Sequence, residues 1–150
     1  MDKVVKTGLK LDLHIHSAAS AHKDGAKVKD NTLENIGILI EKLNDNGVNL
    51  CAITDHDTFS YEIYRGLKAA EDMNTSIQKV LPGVEFSVCF ASKKEKKVIH
   101  VVAIFSDEND DKVQNLESIL QSHRPTYNGA YREEDFLALL RDADMNTLLI

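Results

Sequence analysis

The sequence has no tryptophan, two prolines and two cysteines among its 150 residues, and these scarcities exclude several classes of protein. Cys51 and Cys89 lie in apolar stretches without CxxC spacing, which favours buried reduced thiols over a disulfide or a cysteine metal site. Aromatic residues make up only 6%, and 24 acidic residues outnumber 18 basic ones. This balance argues against a protein that grips nucleic acid through a broad basic face, although a local basic pocket is compatible with it.

Long apolar runs are also missing. No stretch approaches the roughly 18 residues needed to cross a bilayer, and the start, MDKVVKTGLK, has no apolar segment of the kind that directs secretion. We therefore expect a cytoplasmic protein without membrane contact. Length and ordinary composition suit a single domain over residues 1–150, and no repeat, low-complexity tract or linker divides it.

The first half of the chain alternates strand and helix patterns. Residues 9–16, LKLDLHIH, alternate apolar and polar side chains and predict a strand with one polar face. Asn31 and Glu34 stand at capping-box spacing at the start of a predicted helix that ends at Asn46-Gly47. Residues 48–54 then predict a buried strand.

A second helix, capped near Ser60, completes a βαβα order. That order is typical of parallel strands covered by helices, with functional residues at the carboxyl ends of the strands. Residues 77–90 and 96–105 then predict a hairpin that brings Glu85 opposite residues 100–102.

The hairpin tip is rich in lysine, with Lys93, Lys94, Lys96 and Lys97 in one short connection. We interpret it as a solvated turn that protects strand edges, rather than as a phosphate-binding site. Beyond it the pattern predicts helices over residues 109–121 and 133–143 and a terminal strand, NTLLI.

The histidines carry the strongest functional signal. His14 and His16 lie two residues apart on one face of the first strand, so both rings point the same way. His56 follows the second strand, and His100 lies within the fourth. Together with Glu85 they form the ligand set that a site for several Zn, Mn or Fe ions requires.

Three aspartates accompany this set, and each has two interpretations. Asp12 lies on the polar face of the first strand, where it either orients a histidine ring or ties down a loop. Asp55 and Asp57 flank His56, where they either orient its ring or cap the following turn through Thr58 and Ser60. All three are candidate catalytic residues.

Four segments taken in order resemble the successive motifs of the PHP (polymerase and histidinol phosphatase) family. They are DLHIHS at 12–17, TDHDT at 54–58, PGVE at 82–85 and the histidine of VIHVVAIF at 100. The HxH motif alone is shared with amidohydrolases, so the resemblance to the PHP family rests on the occurrence of all four motifs in order. The resemblance covers residues 9 to about 105. It implies an α/β fold, a distorted (β/α)7 TIM-like barrel of which this chain holds an incomplete part.

The resemblance also implies up to three divalent ions, Zn, Mn, Fe or Mg, and hydrolysis of phosphoesters. Carried over by position, His14 and His16 hold one ion with Glu85. Glu85 bridges to a second ion held by His100, and His56 belongs to a third.

The sequence departs from the family pattern in two places. Many hydrolytic members have aspartate five residues after the second histidine of HxH, where this chain has Ala21. Either His22 or Asp24 substitutes from the loop, or the third ion is weakly held or absent. The later ligands of the family, a histidine and an Asp-x-His, are not found after residue 105. His123 is interpreted as a surface residue, with Arg124 as a possible phosphate contact.

Because the terminal strand stops at Ile150, we expect the chain to be the front part of a longer domain, with partial metal occupancy and weak catalysis on its own. The leading hypothesis is a metal-dependent phosphoric ester hydrolase that acts on a phosphorylated small molecule or nucleotide through activated hydroxide. The alternative is an accessory or regulatory module at the N-terminus of a larger ATPase or polymerase-like protein. Contact with nucleic acid is expected only through the full-length protein. An amidohydrolase would place a bridging lysine near the end of the fourth strand, whereas Lys93 to Lys97 precede that strand.

Overall fold

The computed structural model describes residues 8–91 and 96–150. Its strands are β1 (Leu11–Ile15), β2 (Leu50–His56), β3 (Lys79–Ala91), β4 (Lys96–Phe105), β5 (Tyr131–Arg132) and β6 (Thr147–Leu149). Its α-helices are α1 (Ala21–Asp24), α2 (Ile36–Asp45), α3 (Tyr61–Lys68), α4 (Asp110–Ser122) and α5 (Glu133–Ala143). Short 3-10 turns occur at Ala18–Ser20, Gly25–Lys27 and Ala69–Asp72.

The strands form one mixed sheet in the order β1-β2-β3-β4-β6, and the short β5 pairs with β3. β1, β2 and β3 are parallel, β4 is antiparallel to β3, and β6 is antiparallel to β4. The expected (β/α)7 barrel is therefore wrong as a description of this chain, because the described strands form an open sheet with β1 and β6 at its edges.

The direction of β4 follows from its short connection to β3. Only residues 92–95 separate the two strands, whereas a parallel crossover needs about a dozen residues or more. The chain must turn straight back, as the sequence predicted. The hairpin prediction is confirmed, and the barrel, which only the family resemblance implied, is not.

Helix boundaries agree with the sequence except at the first long helix. α2 begins at Ile36, and the predicted capping box at Asn31 is wrong because the Asn31 side chain donates to the carbonyl of His16 at 3.0 Å. The cap of α3 is confirmed, since the Ser60 hydroxyl accepts from the backbone N–H of Ile63.

β3 lies at the centre of the sheet and passes very close to both neighbours. A Cβ at Gly83 would meet Thr54 Cγ2 of β2 at 2.8 Å and the carbonyl oxygen of Ala103 of β4 at 3.1 Å. Glycine at this position permits the close approach, and Glu85 follows two residues later on the same face.

Both cysteines are buried free thiols, as predicted. Burial raises the pKa of Cys51 to about 12, so this thiol stays protonated and unreactive at neutral pH. Lys93 and Lys94 of the predicted hairpin tip lie outside the described residues. Within the described residues, none of the helices combines the length and apolar character that crossing a membrane demands.

Candidate metal centre

The sheet brings the predicted ligands together near the carboxyl ends of β1 and β2. His56, the last residue of β2, is paired in register with Glu85 of β3. His14 lies near the end of β1 and His16 directly after it, while His100 lies on β4 beside β3. The carboxyl ends of neighbouring parallel strands lie on the same side of the sheet, so side chains far apart in sequence become neighbours.

Glu85 lies at the centre of this cluster and is 3% exposed. Its Oε2 is 2.7 Å from Nε2 of His14, 3.2 Å from Nε2 of His16 and 3.5 Å from Nε2 of His56. Its Oε1 is 2.5 Å from Nδ1 of His100. Burial tends to raise the pKa of Glu85, but the hydrogen bond from His14 and the charge of His56 lower it overall. Both carboxylate oxygens are thus charged and directed at histidine nitrogens.

The four histidine rings pack against one another. Ring centroids are 4.8 Å apart for His14 and His16, 4.8 Å for His16 and His56, and 5.2 Å for His56 and His100. Burial lowers the pKa of His56 despite the opposing charges of Glu85 and Asp24. The neutral ring is the form that binds a metal.

The loop after β1 contributes a second carboxylate, Asp24. Its Oδ2 is 3.5 Å from Nδ1 of His16 and its Oδ1 is 3.4 Å from Nε2 of His56. Burial tends to raise the pKa of Asp24, but a 2.6 Å hydrogen bond from Ser20 and the histidine charges lower it overall. Of the two predicted substitutes for the aspartate missing at position 21, Asp24 enters the cluster, whereas His22 is exposed and belongs to none of its donor groups.

These residues form three overlapping groups of donors, and the donor atoms within each group lie within 4.8 Å of one another. The groups are His14, His16 and Glu85; His16, Asp24 and His56; and His56, Glu85 and His100. The buried Nδ1 atoms of His16 and His56 have no hydrogen-bond partner in the described part of the chain. Imidazole and carboxylate donors left open in this way fit divalent cations such as Zn, Mn or Fe.

Asp55 turns away from this cluster and holds the start of the following loop. It is 1% exposed, and its two carboxylate oxygens accept from the backbone N–H and the hydroxyl of Ser17, both at 2.6 Å. Its contacts therefore anchor the residue directly after His16, and neither of them is with the His56 ring.

Asp57 also reaches the loop rather than the turn that follows it. Its Oδ1 accepts from the backbone N–H of Ser87 at 2.8 Å, and its Oδ2 pairs with Nζ of Lys23. Asp12 accepts from the backbone N–H of His14 at 3.4 Å, so its contact is with the main chain of the HxH segment. Catalytic roles for Asp12, Asp55 and Asp57 stay predictions.

Arg124 and His123 lie outside the donor groups. His123 Nε2 is 2.7 Å from Asp142, on the surface between α4 and α5. Arg124 lines a cavity of about 530 Å³ together with Lys23 and Asp57, which places it near the loop that carries Asp24. Phosphate binding by Arg124 stays a prediction.

Sequence reasoning missed Lys23 and Ser87. Lys23 Nζ donates to the Ser87 hydroxyl at 2.7 Å in addition to its pairing with Asp57. No local pattern links these residues, which are 64 positions apart. Ser17 was detectable in principle, because it directly follows the HxH motif in DLHIHS.

No family model matches the sequence, and no curated protein matches it. Among solved structures, the chain is similar to a protein of Bifidobacterium adolescentis provisionally described as a metal-dependent phosphoesterase, at 20% identity and a TM-score of 0.47, over 79% of this chain and 35% of that one. It is also similar to an amidohydrolase of Chromobacterium violaceum, whose structure holds sulfate and no metal, at 24% identity and a TM-score of 0.43, over 77% of this chain and 33% of that one. The chain thus spans about a third of the length of either neighbour, and membership of the PHP family stays a prediction from the four motifs.

Proposed function

We propose that this chain carries the metal centre of a PHP-type phosphoesterase, which hydrolyses a phosphorylated small molecule or a nucleotide phosphodiester. The observation that carries the proposal is the convergence of four histidine rings on the two oxygens of one buried carboxylate, Glu85. The nitrogen-rich donor set favours Zn, Mn or Fe over Mg, which prefers oxygen ligands.

Bound ions would supply an activated water nucleophile and positive charge for the phosphoryl oxygens. The chain's own residues hold that chemistry in place. The rings of His14, His16, His56 and His100 present their nitrogens, and the ionised Glu85 offers one oxygen to each side of the cluster. Because His14 and His100 are more than half exposed, a phosphate ester reaches the cluster from that side.

Nucleophilic catalysis by a side chain is a poorer fit. Ser17, which has a carboxylate partner in Asp55, is fully buried and donates its hydroxyl to that partner. Cys51 is fully buried as well, and the raised pKa keeps its thiol protonated. A metal-activated water needs neither residue, which agrees with the proposed mechanism.

The test compares the complete protein with its His14→Ala variant. After loading with Zn or Mn, we expect the wild type to release phosphate from model phosphomonoesters or phosphodiesters and His14→Ala to lose that activity. Equal inactivity of both proteins, with metal bound to the wild type, would favour the accessory-module alternative. Hydrolysis of amides in place of phosphate esters would overturn the assignment to phosphoester chemistry.

A further inference from the structure

The side chain of Asp24 is placed by a loop rather than by a strand. The segment between β1 and α2 contains only a four-residue helix and two 3-10 turns. Three hydrogen bonds hold its ends near the sheet, two from Ser17 to Asp55 and one from Asn31 to the carbonyl of His16. Neither contact lies close to Asp24 in sequence, and the 2.6 Å hydrogen bond from Ser20 to Asp24 stays within the loop, so a contact between the middle of the loop and the sheet has to come from another residue.

Lys23 provides that contact. Its ammonium group pairs with Asp57 Oδ2 and donates to the Ser87 hydroxyl at 2.7 Å. The Asp57 side chain is only 5% exposed, so the carboxylate end of the pair is shielded from solvent, whereas the Lys23 side chain is 30% exposed. A charge pair with one buried partner and an additional hydrogen bond fixes geometry better than a fully exposed surface pair.

Asp57 is itself rigidly held. Its backbone N–H donates to the carbonyl of Glu85 at 2.9 Å, and its Oδ1 accepts from the backbone N–H of Ser87 at 2.8 Å. Its φ of 53° lies in the left-handed region, which is costly for a residue with a Cβ and persists only where surrounding contacts impose it. The acceptor for Lys23 is therefore a fixed point directly after β2, hydrogen-bonded to β3.

Each member of this contact lies beside a donor of the metal cluster. Lys23 precedes Asp24, Asp57 follows His56, and Ser87 lies two residues beyond Glu85 on the same strand. The contact joins the three elements that carry these donors. A displacement of Lys23 would move Asp24 away from His16 and His56 without changing any residue of the donor group.

We infer that Lys23 is a positioning residue, whose ion pair with Asp57 and hydrogen bond to Ser87 hold Asp24 against His16 and His56 and so control metal binding at that one group. The inference rests on the proposed metal centre. The group formed by His14, His16 and Glu85 uses β1, the residue directly after it and β3, and it includes no residue from the middle of the loop.

The test measures Zn²⁺ binding to the complete protein by calorimetric titration and by metal content after dialysis. Lys23→Met should weaken the binding of one ion about 10- to 100-fold, the range found for residues that orient metal ligands, and leave the tightest ion in place. Lys23→Arg, which keeps a cation able to pair with Asp57, should restore most of the affinity. Lys29→Met, an exposed lysine of the same loop, should behave like the wild type.

A second readout needs no metal. Amide hydrogen exchange of residues 18–27 in the metal-free protein should accelerate in Lys23→Met and not in Lys23→Arg or Lys29→Met. Asp24→Asn should reproduce the loss of the same ion, and combining it with Lys23→Met should cost little more, because both changes remove one interaction.

The possible failures are distinguishable. If Asp24→Asn loses an ion and Lys23→Met keeps it, the positioning role is overturned and the metal centre stands. If Lys23→Met keeps every ion that the wild type binds but raises the KM for a phosphate ester, Lys23 binds substrate and the inference is equally overturned. If the wild type binds no Zn²⁺ or Mn²⁺, both the proposed function and the inference fall.

Discussion

Charged clusters lie at opposite ends of the β2–β3 pair, and the two differ in the bases that face their acids. At one end Glu85 and Asp24 face histidines. At the other end Asp107 accepts from Lys68 at 2.6 Å and from Lys79 at 2.5 Å, and Lys68 also donates to Glu71 at 2.9 Å.

The difference lies in what remains available after pairing. An ammonium group has only protons to donate and no lone pair, so the Asp107 cluster closes on itself as a set of ion pairs. A neutral imidazole keeps one lone pair for a metal, so the Glu85 cluster stays open to a cation. Similar burial of acids therefore gives a structural network at one end and a ligand set at the other.

The largest expected effect is the stabilisation of the fold by bound metal, which should depend on the Glu85 cluster and not on the Asp107 cluster. Zn²⁺ at about 100 times its Kd should stabilise the wild type by about 2.7 kcal/mol, since a ligand that binds only the folded state shifts the unfolding equilibrium. Glu85→Gln should remove most of that gain, because two of the three donor groups contain Glu85, as measured by thermal unfolding with and without Zn²⁺. The matched variant Asp107→Asn should retain it, and loss of the gain in both variants would show that the two ends are not distinct.

The second effect is on the metal-free fold. Asp107→Asn should lower the free energy of unfolding by about 2 kcal/mol, because the shielded Lys68 loses a charged partner. Urea unfolding in the presence of a chelator measures the change. Adding Lys68→Met should recover part of the loss, and a double variant less stable than Asp107→Asn would contradict the account.

The third effect is the response to acid. Burial tends to raise the pKa of Asp107, but the hydrogen bonds from Lys68 and Lys79 lower it below its ordinary value. A carboxyl whose pKa is lower in the folded state stabilises the fold above its unfolded pKa, and that contribution disappears as the pH falls through the folded pKa. Metal-free wild type should therefore lose more stability than Asp107→Asn between pH 5 and pH 2, as followed by urea unfolding, and parallel losses would refute this role.

The smallest effect concerns Lys79, whose side chain is 42% exposed against 19% for Lys68. Solvent screens an exposed pair, so Lys79→Met should cost about 0.5 kcal/mol or less and should matter even less in high salt. Lys68→Met in the same urea assay should cost clearly more. An equal cost for both lysines would mean that burial does not set the strength of this network.

The sequence allowed prediction of most strands and helices and of five donors, because these depend on local patterns. The HxH motif places two rings on one face of β1 by strand periodicity alone, and the hairpin fixes Glu85 near His100 through a short connection. The start of α2 was missed because the Asn31 side chain bonds to His16, a contact outside its own segment.

The sequence by itself determined which residue types meet at the cluster, since period two along β1 and the short β3–β4 connection leave little freedom. Only the tertiary structure decided that the described sheet is open, that Asp24 rather than His22 joins the cluster, and that Lys23 reaches Asp57 and Ser87. The physical reason is that these outcomes depend on how a loop folds back over distant strands. Loop closure brings together residues that no spacing rule relates, and the energy that selects one partner over another arises only from the packed surroundings.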